Sequence, residues 1–137
     1  MISDNAYELK TLIVHTSDNQ LKNELPQVFA NEPYKIELYS NSFKLLQSIL
    51  RRPVLVCIYD VGKARKEKLE SIPVITRVKP DISLIVLCDA DSEKLIKKIH
   101  QNHLYYFFQK PFDYDELLVA VRSAFEFHQK RIYARGW

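Results

Sequence analysis

The sequence predicts an α/β domain built on a parallel β-sheet, and three observations lead to this fold class. Apolar runs of strand length alternate along the chain with segments whose apolar residues recur at helical spacing. Residues 53–60 form a nearly continuous apolar run that ends in the carboxylate of Asp60, which is typical of a strand buried on both faces. The 137 residues are 47% hydrophobic and 27% charged, a composition that fits one globular domain with a substantial core.

The five predicted strands share short runs of β-branched, apolar or aromatic residues: 9–14, 34–39, 53–60, 84–87 and 105–108. The five predicted helices share apolar residues three or four positions apart: 21–29, 43–50, 69–78, 93–100 and 117–125, the last extending toward residue 133. Their expected N-caps are Ser17 or Asp18, Ser40 or Ser42, Asp91 or Ser92, and Asp113 or Asp115, with none assigned to the third helix. Pro26 is expected to kink its helix, and Pro73 to kink its helix or mark the first turn.

Regular alternation of strands and helices implies right-handed crossovers that cover both faces of the sheet. Five such units predict the flavodoxin-like strand order 2-1-3-4-5. We therefore expect a single domain over residues 1–137 with its core at about 9–131. The polar and aromatic tail is expected either to end the protein or to lead to an output domain.

The composition narrows the class of protein. A net charge of +3 without a clustered basic stripe argues against direct nucleic-acid binding. The absence of a long apolar run or of a signal-peptide pattern predicts a cytoplasmic protein without membrane association. Two glycines are too few for a glycine-rich phosphate loop. Cys57 and Cys88 fall in apolar runs and are expected to be buried, reduced thiols.

Asp60 is the first candidate functional residue. Ligands and chemistry in open parallel sheets lie outside the carboxyl ends of the strands, and Asp60 ends the central predicted strand. A shift of one residue would place Tyr59 in the same position and turn Asp60 to the other side of the strand. We favour Asp60.

The ordered set of strand-end residues resembles the receiver domain of two-component response regulators, from about residue 9 to 131. The local match is the run 107–112, Phe-Phe-Gln-Lys-Pro-Phe, together with Asp60 and its spacing to Cys88. The resemblance implies that Asp60 accepts a phosphoryl group, that Lys110 pairs with this group, and that Cys88 and Phe107 stand at the switch positions. It also implies a histidine kinase or phosphotransfer protein as partner, an output domain or partner protein, and a homodimer formed on the face of the fourth helix, fifth strand and fifth helix.

Several positions depart from this family. His15 and Thr16 stand where the family has the acidic pair that binds Mg²⁺, and neither is a carboxylate. Cys88 replaces a Thr or Ser hydroxyl and is a weak hydrogen-bond donor, while Asp89 adds a carboxylate beside it. The sequence therefore predicts an atypical receiver without catalytic activity or cofactor, in which only Asp60 remains to hold a weakened Mg²⁺ site, and which acts through protein contacts.

Four alternatives stay open at this point. Asp60 could remain a working phosphoacceptor, or Lys110 could form a salt bridge with Asp60 or Asp89 that closes the site. A protonated His15 could also replace the missing cation. In a different class, a small α/β enzyme or ligand-binding domain would use Cys88, His15 and Asp60 as nucleophile, base and carboxylate.

A basic cluster follows Asp60 in the sequence. Its members are Lys63, Arg65, Lys66 and Lys68. We interpret this cluster as a solvated loop, with attraction of an acidic or phosphorylated partner as the alternative.

Overall fold

A computed structural model describes residues 10–89 and 92–134 of the chain, with side chains up to Arg131. Five strands alternate with five helices in this part of the chain. The strands are β1 (Thr11–His15), β2 (Lys35–Tyr39), β3 (Val56–Asp60), β4 (Ser83–Cys88) and β5 (Tyr106–Gln109). The helices are α1 (Asn19–Val28), α2 (Ser42–Arg51), α3 (Lys66–Val78), α4 (Glu93–His100) and α5 (Tyr114–Ala134).

All five strands form one parallel sheet with the order β2-β1-β3-β4-β5. The register places Asp60 opposite Leu87, and Cys88 opposite Gln109, so the carboxyl ends of β3, β4 and β5 lie side by side. The predicted flavodoxin-like fold and strand order are confirmed. The limits of several strands and helices differ from the predicted ones by a few residues; β3, for example, begins at Val56 rather than at Pro53.

Two apolar layers sandwich the sheet, because alternate strand residues face opposite sides. One layer packs α2, α3 and α4 against the strand residues Ile13, Cys57, Tyr59, Leu84, Val86 and Cys88. The other packs α1 and α5 against Leu12, Val14, Val56, Ile58, Ile85 and Leu87. The continuous apolar strands thus reflect burial on both faces, as their sequences indicate.

The helix N-termini differ in how they are capped. Asp18 caps α1 and Ser92 caps α4, as predicted. Asn41 caps α2 by accepting hydrogen bonds from two backbone N–H groups, so the prediction of Ser40 or Ser42 is wrong. The side chain of Arg65, the residue before α3, makes no capping hydrogen bond.

Both prolines predicted to disturb helices lie inside them. Pro26 lies in α1, and Pro73 lies in the interior of α3 rather than in its first turn. Each helix continues past its proline, since packing of the apolar face against the sheet stabilises the helix more than one missing hydrogen bond destabilises it.

The final helix is the longest of the described elements. It has 21 residues and packs Leu117, Val121 and Ala124 against the sheet. Its outward side is charged or polar at many positions. None of the helices in the described ranges is long and apolar enough to cross a membrane.

The two edges of the sheet are β2 and β5. On β2, Glu37 forms a bidentate ion pair with Arg52, and Lys35 lies 3.7 Å from the same carboxylate. The arginine and its hydrogen bonds lower the pKa of Glu37 below its usual range. β5 has four residues and is followed by a cis Lys110–Pro111 peptide bond.

Two neighbouring residues of α2 provide a test of the layer that α2 forms. Ile49 is fully buried, whereas the side chain of Leu50 is 62% exposed. We expect Ile49→Ala to lower the free energy of unfolding by about 2–5 kcal/mol, because it removes buried methyl groups and leaves a cavity. Leu50→Ala, the control, should change it by less than about 0.5 kcal/mol. Urea denaturation measures both; equal effects would contradict the packing described.

Candidate functional site

A pocket of about 400 Å³ lies at the carboxyl ends of β1, β3, β4 and β5. Four cationic and three acidic side chains line it, together with small and apolar residues: Ser17, Asp18, Asp60, Val61, Gly62, Lys63, Arg65, Lys68, Asp89 and Lys110. This is the edge of the sheet at which the sequence placed a functional site. The strand order brings these residues together although they are up to 93 positions apart.

Lys110 is at the centre of the acidic side of the pocket. Its Nζ lies 2.8 Å from Oδ2 of Asp60, 3.0 Å from Oδ1 of Asp89 and 3.4 Å from Oδ2 of Asp18. Burial alone would lower the pKa of Lys110, but the hydrogen bonds and charges of Asp60 and Asp89 raise it. The ammonium therefore stays charged and links segments that follow or end β1, β3, β4 and β5.

The carboxylate of Asp60 is 4% exposed and has hydrogen-bond partners on both oxygens. Thr16 Oγ1 donates to Oδ2 over 2.6 Å, and the backbone N–H of Gly62 donates to Oδ1 over 2.9 Å. The turn at Gly62 has a φ of +56°, a conformation that glycine adopts without steric cost. With Lys110, these donors compensate a carboxylate that would otherwise be costly to bury.

The alternative register, with Tyr59 in the pocket, does not occur. The ring of Tyr59 is fully buried in the layer of α2, α3 and α4 and stacks on His15 with 4.6 Å between ring centroids. The next residue, Asp60, lines the pocket. Side chains alternate between the two faces of the sheet along β3, so Tyr59 and Asp60 point to opposite sides.

His15 lies beneath the pocket in a small polar cluster. Its Nε2 is 3.0 Å from Lys68 Nζ and 3.3 Å from Ser42 Oγ. Ser42 Oγ also lies 3.1 Å from the hydroxyl of Tyr59 and 3.0 Å from Lys68 Nζ. This position of the altered acidic pair thus contacts a lysine, whereas the second position, Thr16, contacts Asp60 directly.

The hypothesis of a protonated His15 is wrong. Burial, reinforced by the charge of Lys68, lowers the pKa of His15 to about 4. A neutral imidazole can accept a hydrogen bond from Lys68, while a protonated one would repel it. The cation beside this histidine is therefore Lys68.

The other predicted switch positions lie deeper in the protein. Cys88 is fully buried in the layer of α2, α3 and α4 and does not line the pocket. Phe107 is half-buried against the same layer, and its ring centroid lies 4.8 Å from that of His100. A pocket-bound substrate would not reach Cys88, which argues against the enzymatic triad of Cys88, His15 and Asp60. Both cysteines are buried, and burial raises the pKa of the Cys57 thiol.

The residues of the pocket do not fit a Mg²⁺ site. Mg²⁺ takes hard oxygen ligands in octahedral geometry. Here the three carboxylates converge on the Lys110 ammonium, and Thr16 donates a hydrogen to Asp60 where the family has a carboxylate. No group of three or more His, Cys, Asp or Glu side chains in the described ranges is arranged to hold a metal ion.

Sequence reasoning missed two features of the site. Lys68 was interpreted as part of a solvated loop, and Asp18 only as a helix cap. Asp18 does cap α1, with Oδ1, while Oδ2 faces Lys110. For Lys68 the available signal was its position in the sequence. It lies eight residues after Asp60, at the start of the helix that follows β3, and therefore near the carboxyl end of that strand.

The pKa of His15 leads to a prediction about stability. Because this pKa is about 4 in the folded state and about 6.5 in an unfolded chain, the neutral imidazole contributes stability fully above pH 6.5. This contribution is lost as the pH falls from 6.5 toward 4, up to about 3 kcal/mol. Lys68→Met should raise the pKa of His15 and reduce this loss, whereas Lys66→Met, on an exposed lysine of the same helix, should not.

NMR titration of the imidazole and urea denaturation at pH 7 and 4.5 measure these quantities. Burial also lowers the pKa of His128, so the comparison of the two lysine variants isolates the contribution of His15. Protonation of His15 near pH 6.5 in the folded wild type would contradict the prediction.

No protein-family model matches the chain. The DNA-binding transcriptional regulator NtrC of Azospirillum brasilense is 25% identical over 114 residues, which are 83% of this chain and 24% of that protein. The chain thus spans about a quarter of the length of the curated relatives it matches.

Solved receiver domains have the same fold. A CheY-like response regulator receiver domain protein from Methanospirillum hungatei superimposes with a TM-score of 0.78 and 17% identity, covering 90% of this chain and 98% of that one. The beryllofluoride-activated NtrC4 receiver domain dimer superimposes with a TM-score of 0.74 and 22% sequence identity. The match covers 85% of this chain and 97% of that one. The chain therefore has the fold of solved receiver domains, and its distant sequence similarity is to a DNA-binding transcriptional regulator.

Proposed function

We propose that this chain is an atypical receiver module of two-component signalling that acts through protein contacts and does not depend on phosphorylation of Asp60. The observation that carries the proposal is the contact of Lys110 with Asp60, Asp89 and Asp18. It supplies, within the protein, the positive charge that the resemblance assigns to Mg²⁺. The partner that follows from this proposal is an output domain or protein, whereas a histidine kinase or phosphotransfer protein would be the partner of a working phosphoacceptor.

The state of Asp60 supports this proposal on electrostatic grounds. Phosphoryl transfer is catalysed by positioning and by stabilisation of negative charge, for which receivers use a divalent cation. Asp60 instead has three donors in place, and two further carboxylates lie around the same ammonium. An incoming phosphoryl group would meet the negative charge of Asp89 and Asp18 without a metal ion to offset it.

A surface on α5 and β5 is the proposed contact region. Val119, Ser123 and Phe127 lie four residues apart and share one side of α5. The hydroxyl of Tyr105 bonds to Ser123 Oγ over 2.6 Å, which places this stripe beside β5. Val119, Phe127 and Tyr106 of β5 are large apolar side chains that are about half or more exposed. Such a patch suits a protein interface, and a second copy of this chain is the occupant we propose.

A second candidate function is a working phosphoacceptor. Asp60 ends β3, and its Oδ2 lies 2.8 Å from Nζ of Lys110, which is joined to Pro111 by a cis peptide bond. A receiver domain that superimposes on this chain bears the name of a beryllofluoride-activated dimer. On this reading, donors now bound to Asp60 would turn to a phosphoryl group, and Mg²⁺ binding would be weak.

Incubation with acetyl phosphate and Mg²⁺ separates these two functions. We expect the intact mass of the wild type to remain unchanged, because the metal ligands of the acidic pair are missing. The double variant His15→Asp/Thr16→Asp restores that pair and is expected to gain one phosphoryl group. Asp60→Asn in the double-variant background is the control. A phosphoryl adduct on the wild type that Asp60→Asn abolishes would contradict the proposal and establish the phosphoacceptor.

The surface of α5 and β5 is tested separately. We expect Tyr106→Glu and Val119→Glu each to weaken self-association at least tenfold in sedimentation velocity, because a charge at the centre of an apolar interface is left unpaired. Phe43→Glu is the control, since Phe43 is a similarly exposed aromatic residue on α2. Equal effects at Phe43 and Tyr106, or a wild type that is monomeric at all concentrations, would contradict the proposed interface.

A further inference from the structure

The pocket beside Asp60 has two walls of opposite charge. On one wall, the three carboxylates share Lys110. The other wall carries the cations Lys63, Arg65 and Lys68, from the loop after β3 and the start of α3. Within the described ranges, no carboxylate lies within ion-pair distance of these three side chains. By contrast, their neighbour Lys66, which faces away from this pocket, lies 3.9 Å from Glu70.

Lys68 is the most constrained of the three cations. Its ammonium is half-buried, and its two hydrogen-bond partners, Nε2 of His15 and Oγ of Ser42, are both 3.0 Å away. Both partners are neutral, so they orient the ammonium without compensating its charge. They use two of its three donors. Burial lowers the pKa of Lys68, although the charges of Asp60 and Glu67 act in the opposite direction.

The start of α3 adds partial positive charge to the same wall. The first turn of a helix has backbone N–H groups without intrahelical partners, and it attracts anions. The caps of α1, α2 and α4 are side chains that accept hydrogen bonds, whereas the side chain at this position, Arg65, is a cation and accepts none. Arg65 lines the pocket together with Lys68 one turn later.

We propose that this basic wall is a site for the phosphate group of a small ligand, bound without covalent attachment and without a metal ion. A dianion would compensate the charge of Lys68 and take hydrogen bonds from the guanidinium of Arg65, a donor suited to phosphate oxygens. The pocket volume of about 400 Å³ leaves room for a small phosphomonoester. The site goes beyond the proposed signalling function and does not depend on it. It uses residues of the loop after β3 and of α3, apart from the pair of Asp60 and Lys110.

The carboxylate wall sets the orientation of such a ligand. Asp60 and Asp89 are bound to Lys110, but they still repel a phosphate that approaches them. The phosphate group therefore lies against Lys68 and Arg65, and the rest of a phosphomonoester extends toward the acidic wall or out of the pocket. Positively charged or hydrogen-bonding groups on that remainder would be favoured by the carboxylates.

The test is an NMR titration in a buffer that contains a metal chelator and no phosphate. Inorganic phosphate and glycerol phosphate are the two probes, with sodium chloride at matched ionic strength as the control. We expect saturable shifts of the backbone amides around Gly62, Lys63 and Arg65. Tighter binding of glycerol phosphate would assign the site to a phosphomonoester, and equal affinity would assign it to the phosphate group alone. Shifts that do not saturate, or that sodium chloride reproduces, would overturn the proposal.

Variants locate the site on the basic wall. Lys68→Gln should weaken phosphate binding about tenfold or more, because it removes the half-buried charge, while Lys66→Gln should leave it unchanged. If Lys68→Gln does not fold, the double variant Lys63→Gln/Arg65→Gln, which changes two exposed residues, takes its place. We expect the same loss of phosphate affinity in this variant. Unchanged phosphate affinity in whichever of these two variants folds would contradict the proposed site.

Asp60→Asn distinguishes this proposal from covalent chemistry at the carboxylate. We expect it to retain or strengthen phosphate binding, since it removes a repulsive charge, and we expect no change in intact mass after incubation of the wild type with the probes. Loss of binding in Asp60→Asn, or a mass increase of the wild type, would assign the effect to Asp60 instead. Because no partner protein takes part, failure of the contact surface on α5 and β5 would leave these results unaffected.

Discussion

The ammonium of Lys110 and the carboxylates of Asp60, Asp89 and Asp18 form the interaction on which the functional end of this protein depends. Four chain segments that follow or end parallel strands meet there. Each would otherwise bring an uncompensated charge into a partly buried pocket. The contact therefore does two things at once: it fixes the relative positions of these segments, and it occupies Asp60. The signalling role proposed above follows from the second of these effects.

The polar cluster under the pocket complements this contact. His15 and Thr16 lie where the resemblance to receivers implies two acidic residues, and each has a different partner. Thr16 donates a hydrogen bond to Asp60. His15, kept neutral by burial, accepts from Lys68 and positions a cation at the rim. Where the resemblance implies two carboxylates, this pocket has a neutral imidazole, a hydroxyl and the half-buried ammonium of Lys68, which belongs to its basic wall.

The fold followed from the sequence because its signals are local. Strand-length apolar runs, helical periodicity and the residues that end each strand indicated the five units, the strand order and the position of Asp60. The contact of Lys110 with Asp60 and Asp89 was one of the alternatives, because topology alone brings those strand ends together. Asn41 was missed as an N-cap because its neighbours Ser40 and Ser42 have a similar intrinsic preference for that position.

The parts of the site that the sequence did not reveal depend on long side chains and on burial. Lys68 reaches His15 across 53 residues of sequence, and nothing in a charged loop shows which of its lysines will bend inward. The charge state of His15, for which protonation was one hypothesis, depends on its burial and on the charge of that lysine. The resemblance to receivers assigned Cys88 to a switch position, but the alternation of side chains along β4 places it in the apolar layer.

The edges of the sheet bear on how the domain can meet other proteins. A free edge strand offers unpaired backbone groups to any extended chain. On β2, the Arg52–Glu37 ion pair and Lys35 place charges along that edge, and β5 is too short, before Pro111, to accept a strand of useful length. Neither edge is suited to strand addition. Association of this domain must therefore depend on side chains, so its specificity can change by surface substitution while the backbone of the sheet stays the same.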